Sequence, residues 1–234
     1  MHNLGINKEQ RSMSIKVLNL YAGIGGNRKL WQDVEVTAVE LNPQIAKIYQ
    51  DFFPQDKVIV ADAHQYLLEH YGEFEFIWSS PPCQTHAKMN LINCLSPYKD
   101  NAAQIKQGGG IPPRYPEMHL YQEIIFLKHF YKGSWCVENV IGYYDPLIRP
   151  CEIAKHYVWA NFHISPYQIK SRGHHNRLQA AQEKKGFKIE EYGGIDKEQV
   201  LRNCVEPYLG LHILLESKRN IYPELFNPLT QEIK

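Results

Sequence analysis

From Lys16 to about Asn139 the chain keeps trading a short β-branched stretch for a helical one, and this alternation limits the folds open to it. Lys16–Leu20 (KVLNL) reads as a buried strand, stopped by Gly23-Ile24-Gly25-Gly26. Val34–Glu40 (VEVTAVE) is a second strand, and Asn42-Pro43 opens a helix through Phe52 with proline in its first turn. Lys57–Val60 is a third strand, and Ala61-Asp62 leads into a helix over Ala63–His70. Phe74–Trp78 is a fourth strand, ending at Ser79-Ser80-Pro81-Pro82. Apolar spacing at Leu120, Ile124, Leu127 and Tyr131 predicts a helix from Met118 to Tyr131, followed by a strand over Trp135–Val140. Such βαβ units build a mostly parallel sheet with helices on both faces, a Rossmann-like α/β fold. Beyond Val140 the pattern loosens: Tyr157–Phe162 and Ile164 read as strand, Leu209–Leu215 as a last helix, and Pro223 and Pro228 mark an irregular tail.

The rest of the composition excludes more than it assigns. A length of 234 residues suits one domain with at most a small appendage. The net charge of +1 does not advertise a nucleic-acid binder, although a local basic patch counts for more than a sum. The five cysteines are odd in number and form no C-x-x-C pair, which argues against a disulfide framework or a zinc site and for a reducing compartment. His174 and His175 lack neighbouring ligands at metal spacing, so no metal is expected. No apolar run reaches membrane-span length, and the polar start, residues 1–14, reads as a loosely packed leader rather than a secretory signal. A cytoplasmic protein is expected.

In an open parallel sheet the ligand lies beyond the carboxyl ends of the strands. The first candidate site is therefore Tyr21-Ala22-Gly23-Ile24-Gly25-Gly26, whose glycines let the backbone approach a ligand and let the next helix begin beside it. Arg28 holds the place of the last glycine in a dinucleotide fingerprint, which counts against a nicotinamide cofactor. Glu40 and Asp62 end the next two strands and can accept hydrogen bonds from ribose hydroxyls and an adenine amino group, making an adenosine pocket. The second site is Ser80-Pro81-Pro82-Cys83-Gln84, where two prolines stiffen the chain and hold a cysteine at the ligand-facing edge. A nucleophilic thiolate there needs nearby positive charge or a helix dipole; the bland alternative is a buried free cysteine. The third is Glu138-Asn139-Val140, a carboxylate on an apolar strand that needs a partner. A long connection over residues 84–117, with Gly108-Gly109-Gly110, reads as a functional closing loop.

Leu18–Gly26 (LNLYAGIGG), Phe76–Gln84 (FIWSSPPCQ) and Glu138-Asn139-Val140 resemble, in order, the signature motifs of DNA cytosine-5 methyltransferases. Tyr157–Asn161 (YVWAN) and Leu201–Leu211 (LRNCVEPYLGL) resemble later stretches of the same family. The resemblance implies a Rossmann-like class I fold that binds S-adenosylmethionine. The cofactor contacts would be Tyr21 through Gly26 (including Ala22, Gly23, Ile24 and Gly25), Glu40, Leu41, Asp62, Ala63, Pro81, Leu120, Asn203 and Val205. It implies Cys83 as the covalent nucleophile and Glu138 as the residue that bonds N3 and the 4-amino group of a flipped-out cytosine. Pro82, Gln84, Asn139 and Val140 would face the substrate, with Lys155, Arg172 and Arg177 standing in for the arginines that family members use to hold base and phosphate.

The implied layout is a catalytic domain over 15–164, a reduced target-recognition segment over 165–200 and a returning motif over 201–234. The middle segment is short for the family but basic at its centre, with Lys170, Lys184, Lys185 and Lys188, so double-stranded DNA is the expected partner. A phage enzyme or a restriction–modification enzyme fits this layout. Two alternatives stand beside it: a half-enzyme whose partner chain supplies target recognition, and an RNA enzyme. The Cys-Phe-Thr tripeptide of the family's tRNA-directed branch is absent.

Overall fold

The computed structural model describes residues 14–88, 91, 115–168, 182–183 and 185–225. Among them, seven strands form one sheet: β1 (Ile15–Leu20), β2 (Val34–Glu40), β3 (Lys57–Val60), β4 (Phe76–Ser79), β5 (Ser134–Val140), β6 (Cys151–Ile153) and β7 (His156–Ala160). The order is β3-β2-β1-β4-β5-β7-β6. The first five strands run parallel, while β7 is antiparallel to both β5 and β6. The direction of winding reverses between β1 and β4, so a crevice opens where their carboxyl ends part. This is the Rossmann-like α/β sheet expected from the alternation.

The pleat sorts side chains to two cores. Ile15 and Val17 of β1, Phe76 and Trp78 of β4 and Cys136 of β5 point to one face. Leu18, Leu20, Ile77, Trp135 and Val137 point to the other. The first face is covered by α1 (Pro43–Phe52) and by a C-terminal helix, Pro207–Ile221; the second is covered by α2 (Ala63–His70) and α3 (His119–Phe130). Both early helices start on the side chains that predicted them. Asn42 accepts from the amides of Gln44 and Ile45, and Asp62 accepts from Gln65.

One expected helix is missing. After Gly26 the chain makes only a 3₁₀ turn, Asn27–Leu30, before β2 begins at Val34. The glycine turn takes up the first part of the connection, and the C-terminal helix packs against the 3₁₀ turn that follows. Contact there is so close that a Cβ on Gly210 would lie 2.3 Å from the Asn27 carbonyl oxygen. Arg28 anchors the turn by a buried ion pair with Asp56, through Nε–Oδ2 at 2.7 Å and Nη2–Oδ1 at 3.0 Å.

Several boundaries also differ from expectation. The fourth strand begins at Phe76 rather than Phe74. The last strand ends at Ala160, because the Asn161 side chain takes over the pairing: it accepts from the Trp135 amide and donates to the Gly133 carbonyl. The final helix extends beyond Leu209–Leu215 in both directions. Two further elements were not anticipated, the three-residue β6 and α4 (Lys197–Asn203); the C-terminal helix is α5 in chain order.

The β6–β7 hairpin turns on Ala154 and Lys155, at φ 52° and 69°, with Ile153 paired to His156. Left-handed backbone costs a residue with a Cβ about 1–2 kcal/mol, and a glycine gives back about 0.5–1 kcal/mol of that in lost chain entropy. Lys155→Gly is therefore expected to stabilise the fold by roughly 0.5–1 kcal/mol, a rise in melting temperature of about 1–4 °C. Thermal unfolding checks this; a lower melting temperature would mean that the Lys155 side chain contributes more than its backbone costs.

Candidate active site

The crevice beyond β1, β2 and β3 is floored by the glycine turn. Tyr21, Gly23 and Gly25 all have positive φ, so the chain doubles back tightly. Glu40 holds the turn from the end of β2: Oε2 accepts from the Gly23 amide at 3.0 Å and Oε1 from the Asn42 amide at 2.9 Å. Asp62 uses one oxygen, Oδ1, to cap α2. Gly26 admits the C-terminal segment, for a Cβ there would lie 2.3 Å from both Cys204 Sγ and the Val205 carbonyl oxygen. The resulting cleft has a volume of about 840 Å3. Its walls include Tyr21, Ala22, Gly23, Gly26, Glu40, Leu41, Asp62, Ala63, Pro81, Asn203 and Val205. Two acceptor carboxylates beside an apolar rim of Leu41, Pro43 and Ile45 suit an adenosine moiety.

Three expected cofactor contacts do not reach the cleft. Ile24 is in the core, and Gly25 lies against the rings of Phe53 and Tyr49. Leu120 is buried in the second core, and its neighbour His119 faces the cleft instead. Helical geometry explains the exchange, because adjacent residues on a helix point about 100° apart.

At the other end of the cleft are Pro82, Cys83, Gln84, Glu138, Asn139 and Val140. The Cys83 carbonyl accepts from the amides of His86 and Ala87, so the nucleophile candidate starts a single helical turn. Asn139, expected to face substrate, also spends its side chain on this turn, donating to the Pro81 carbonyl at 2.9 Å. The turn is further tied down by a β-bridge from Ala87 to Gly142 and by His86 Nδ1 against the Tyr144 hydroxyl at 2.6 Å. Burial pushes the Cys83 thiol above its ordinary value, and the Glu138 charge adds to the effect. The lowered value that an activated thiolate calls for is thus not met by the protein's own described groups.

Glu138 is 5% exposed, and each of its oxygens has one partner, which leaves a further lone pair on each for a ligand. Its Oε2 accepts from the Ser80 hydroxyl at 2.9 Å, and its Oε1 lies 2.5 Å from His156 Nδ1. His156, not Lys155, lines the cleft; Lys155 sits at the exposed tip of the β6–β7 turn, because the residue after a two-residue turn is the first to re-enter the sheet. Arg172 and Arg177 lie outside the described residues, as do 1–13, 89–90, 92–114, 169–181, 184 and 226–234, and with them Lys170, Lys184 and most of the expected closing loop over 84–117. What is described of the segment 165–200 is partly committed to the core through Phe187 and Ile189. Lys185 donates to the Cys204 carbonyl.

The sequence reading also missed a buried acid beneath the cleft. Glu123 of α3 is 0% exposed and accepts from the hydroxyls of Tyr21 and Ser79, each at 2.5 Å, with His64 Nδ1 at 3.2 Å. The hydrogen bond to Glu123 raises the His64 imidazole above its ordinary value, against the opposing effect of burial. The Tyr21 phenol is pushed upward by burial and by the same carboxylate. His64 stacks on His119 with ring centroids 4.7 Å apart. The signal available in sequence was a lone acid among Leu120, Ile124 and Leu127 on the apolar face of a helix. Among the described residues no group of side chains forms a metal site, and no helix is long and apolar enough to cross a membrane.

Comparison with known proteins bears on this geometry. Residues 15–89 match the family model for C-5 cytosine-specific DNA methylase. No curated protein matches the chain. Among solved structures, Spodoptera frugiperda DNMT2 is 26% identical over 54% of this chain and 36% of that one, with a TM-score of 0.34. A putative DNA modification methyltransferase from an Escherichia coli prophage is 17% identical over 56% of this chain and 34% of that one, with a TM-score of 0.34. The Entamoeba histolytica methyltransferase EhMeth is 12% identical over 91% of this chain and 99% of that one, with a TM-score of 0.49. The alignment thus spans about a third of the length of the first two proteins. Over residues 15–89, from β1 through the Pro-Pro-Cys turn, the chain is similar to the C-5 cytosine-specific DNA methylase model on a Rossmann-like sheet, and this match implies S-adenosylmethionine as methyl donor.

Proposed function

We propose that this chain methylates carbon 5 of cytosine in double-stranded DNA, with Cys83 as the covalent nucleophile. The observation that carries the reading is one cleft with Glu40 and Asp62 at one end and Cys83 and Glu138 at the other. Glu40 and Asp62 hold the nucleoside part of the donor. S-adenosylmethionine, when bound, supplies an electrophilic methyl group. Cytosine C5 is a poor nucleophile, and addition of the Cys83 sulfur to C6 loads electron density onto it. Glu138 holds N3 and the 4-amino group and stabilises the charge that develops. After transfer the C5 proton is lost and Cys83 departs. The reacting carbon is inside the duplex stack, so the base must be flipped out at a cost of a few kcal/mol. The cleft has the volume to take it beside the donor.

Phe187 and Ile189 favour a second reading for target choice: with these residues packed in the core, part of the recognition surface comes from a partner protein. Either way the reading places the protein where DNA is, in the cytoplasm of a prokaryotic or phage-infected cell. Transfer from tritiated S-adenosylmethionine to unmethylated duplex DNA and to tRNA tests it. Label at cytosine C5 in DNA is expected. Label in tRNA alone overturns the DNA assignment, and label in neither overturns the activity. Weak labelling by the chain alone, restored by co-expression with a partner, would favour the second reading.

A further inference from the structure

The carboxyl ends of β1 and β4 are neighbours, and their backbone ladder stops at the pair Leu20–Ser79. From there the chain continues to opposite edges of the sheet. Tyr21 begins the donor turn beyond β1, in left-handed backbone at φ 54°. Ser80 begins the turn beyond β4 that carries Cys83.

Glu123 takes over where the ladder stops. It is 0% exposed, its Oε1 accepts from the Tyr21 hydroxyl, and its Oε2 accepts from the Ser79 hydroxyl, each at 2.5 Å. Separations this short are those of hydroxyls on an ionised carboxylate. One side chain of α3 thus spans both strand ends. His64 Nδ1, 3.2 Å from Oε1, adds the start of α2, beside Asp62 and Ala63. An apolar side chain would fill this place among Leu120, Ile124 and Leu127 without the cost of burying a charge. What the acid adds is a fixed separation between two strand ends.

We propose that Glu123 is a positioning residue that sets the distance between the donor turn and the Cys83 turn. The inference rests on the cytosine-5 reading of the cleft. Transfer needs reacting atoms about 3–3.5 Å apart and aligned, and a misplacement of about 1 Å costs roughly 100-fold. Each turn has ties of its own: Glu40 accepts from the Gly23 amide, and Asn139 donates to the Pro81 carbonyl. Those ties keep each half of the cleft in shape. Glu123 bonds to both strand ends, so it governs how the halves face each other.

The test is single-turnover methyl transfer with donor and duplex DNA saturating, for wild type, Tyr21→Phe, Ser79→Ala and the double variant. Calorimetric titration gives the donor affinity of each. Each single variant cuts one end of the bridge and is expected to be about 10- to 100-fold slower, with donor affinity within about threefold of wild type. A bridge cut at one end is already lost, so the double variant is expected to be no more than about threefold slower than the slower single one. Single variants as fast as wild type overturn the proposal, as do losses that multiply in the double variant. A fall in donor affinity as large as the fall in rate also overturns it, because a group that only shapes the donor pocket would act in that way.

A second measurement does not depend on activity: the NMR titration of His64 in wild type and in Glu123→Gln. The Glu123 hydrogen bond raises the His64 imidazole, burial opposes it, and the Asp62 and Glu117 carboxylates add smaller upward effects. His119 stacks on the same ring. A downward move in Glu123→Gln supports an ionised bridge, and an unchanged titration overturns it. Wild type that methylates neither DNA nor RNA refutes the cytosine-5 reading and takes the inference with it. Multiplying losses in variants of an active wild type refute the inference alone.

Discussion

Cys83→Ala should abolish methyl transfer, by a factor on the order of 10⁴ or more, while S-adenosylmethionine still binds. The turn that carries Cys83 is held by backbone amides, by the Asn139–Pro81 bond and by the Ala87–Gly142 bridge, none of which uses the sulfur. Alanine can therefore sit there without disturbing the cleft. Tritium transfer measures the loss, and calorimetric titration with S-adenosylmethionine shows that the donor site survives. Activity within tenfold of wild type would sink the covalent route. The raised thiol value adds a pH dependence: below it, each unit of pH increases the thiolate fraction about tenfold, so the rate climbs with pH on the acid side.

The largest stability effect is expected at Arg28. Its side chain is 6% exposed and that of Asp56 is 1% exposed, and Asp56 also accepts from the Tyr49 hydroxyl at 2.8 Å. Arg28→Met leaves a buried carboxylate with no cation and should cost about 3–5 kcal/mol. Arg28→Met combined with Asp56→Asn removes both charges and should recover much of the loss, since replacing a buried pair as a whole is often close to neutral. Urea unfolding of the two variants checks this. A single variant within 1 kcal/mol of wild type would show that the pair does not anchor the turn. The same residue explains why a glycine turn of this kind is no dinucleotide fingerprint: the place of the third glycine is taken by a side chain that reaches into the core.

Much of the fold was legible because its signals are local. Buried parallel strands are near-continuous runs of Val, Ile and Leu, and Asn42 and Asp62 announce helix starts by their own hydrogen bonds. The ends of β1 to β5 then gather the candidate site with no further assumption. What escaped depends on contacts distant in sequence. The absent first helix can be understood only from α5, which packs against the 3₁₀ turn that stands there. The β6–β7 turn uses Ala154 and Lys155 where sequence rules look for asparagine or glycine, so the register that brings His156 and not Lys155 to Glu138 was hidden. Glu123 reads as one acid on a helix until Tyr21, Ser79 and His64 arrive from three other places in the chain.

The close approach of Gly26 to Cys204 and Val205, and of Gly210 to Asn27, bears on how the protein is made. Both contacts join the first strand-end turn to residues synthesised more than 170 positions later. The donor end of the cleft therefore stays unwalled on the ribosome until the last helix emerges, and a nascent chain holding Cys83 and Glu138 lacks a finished site. Loop closure over so long a span makes this a late event in folding. A chain truncated before Cys204 should consequently show exposed apolar surface from Ile24, Trp31 and Phe53 rather than a weakened enzyme.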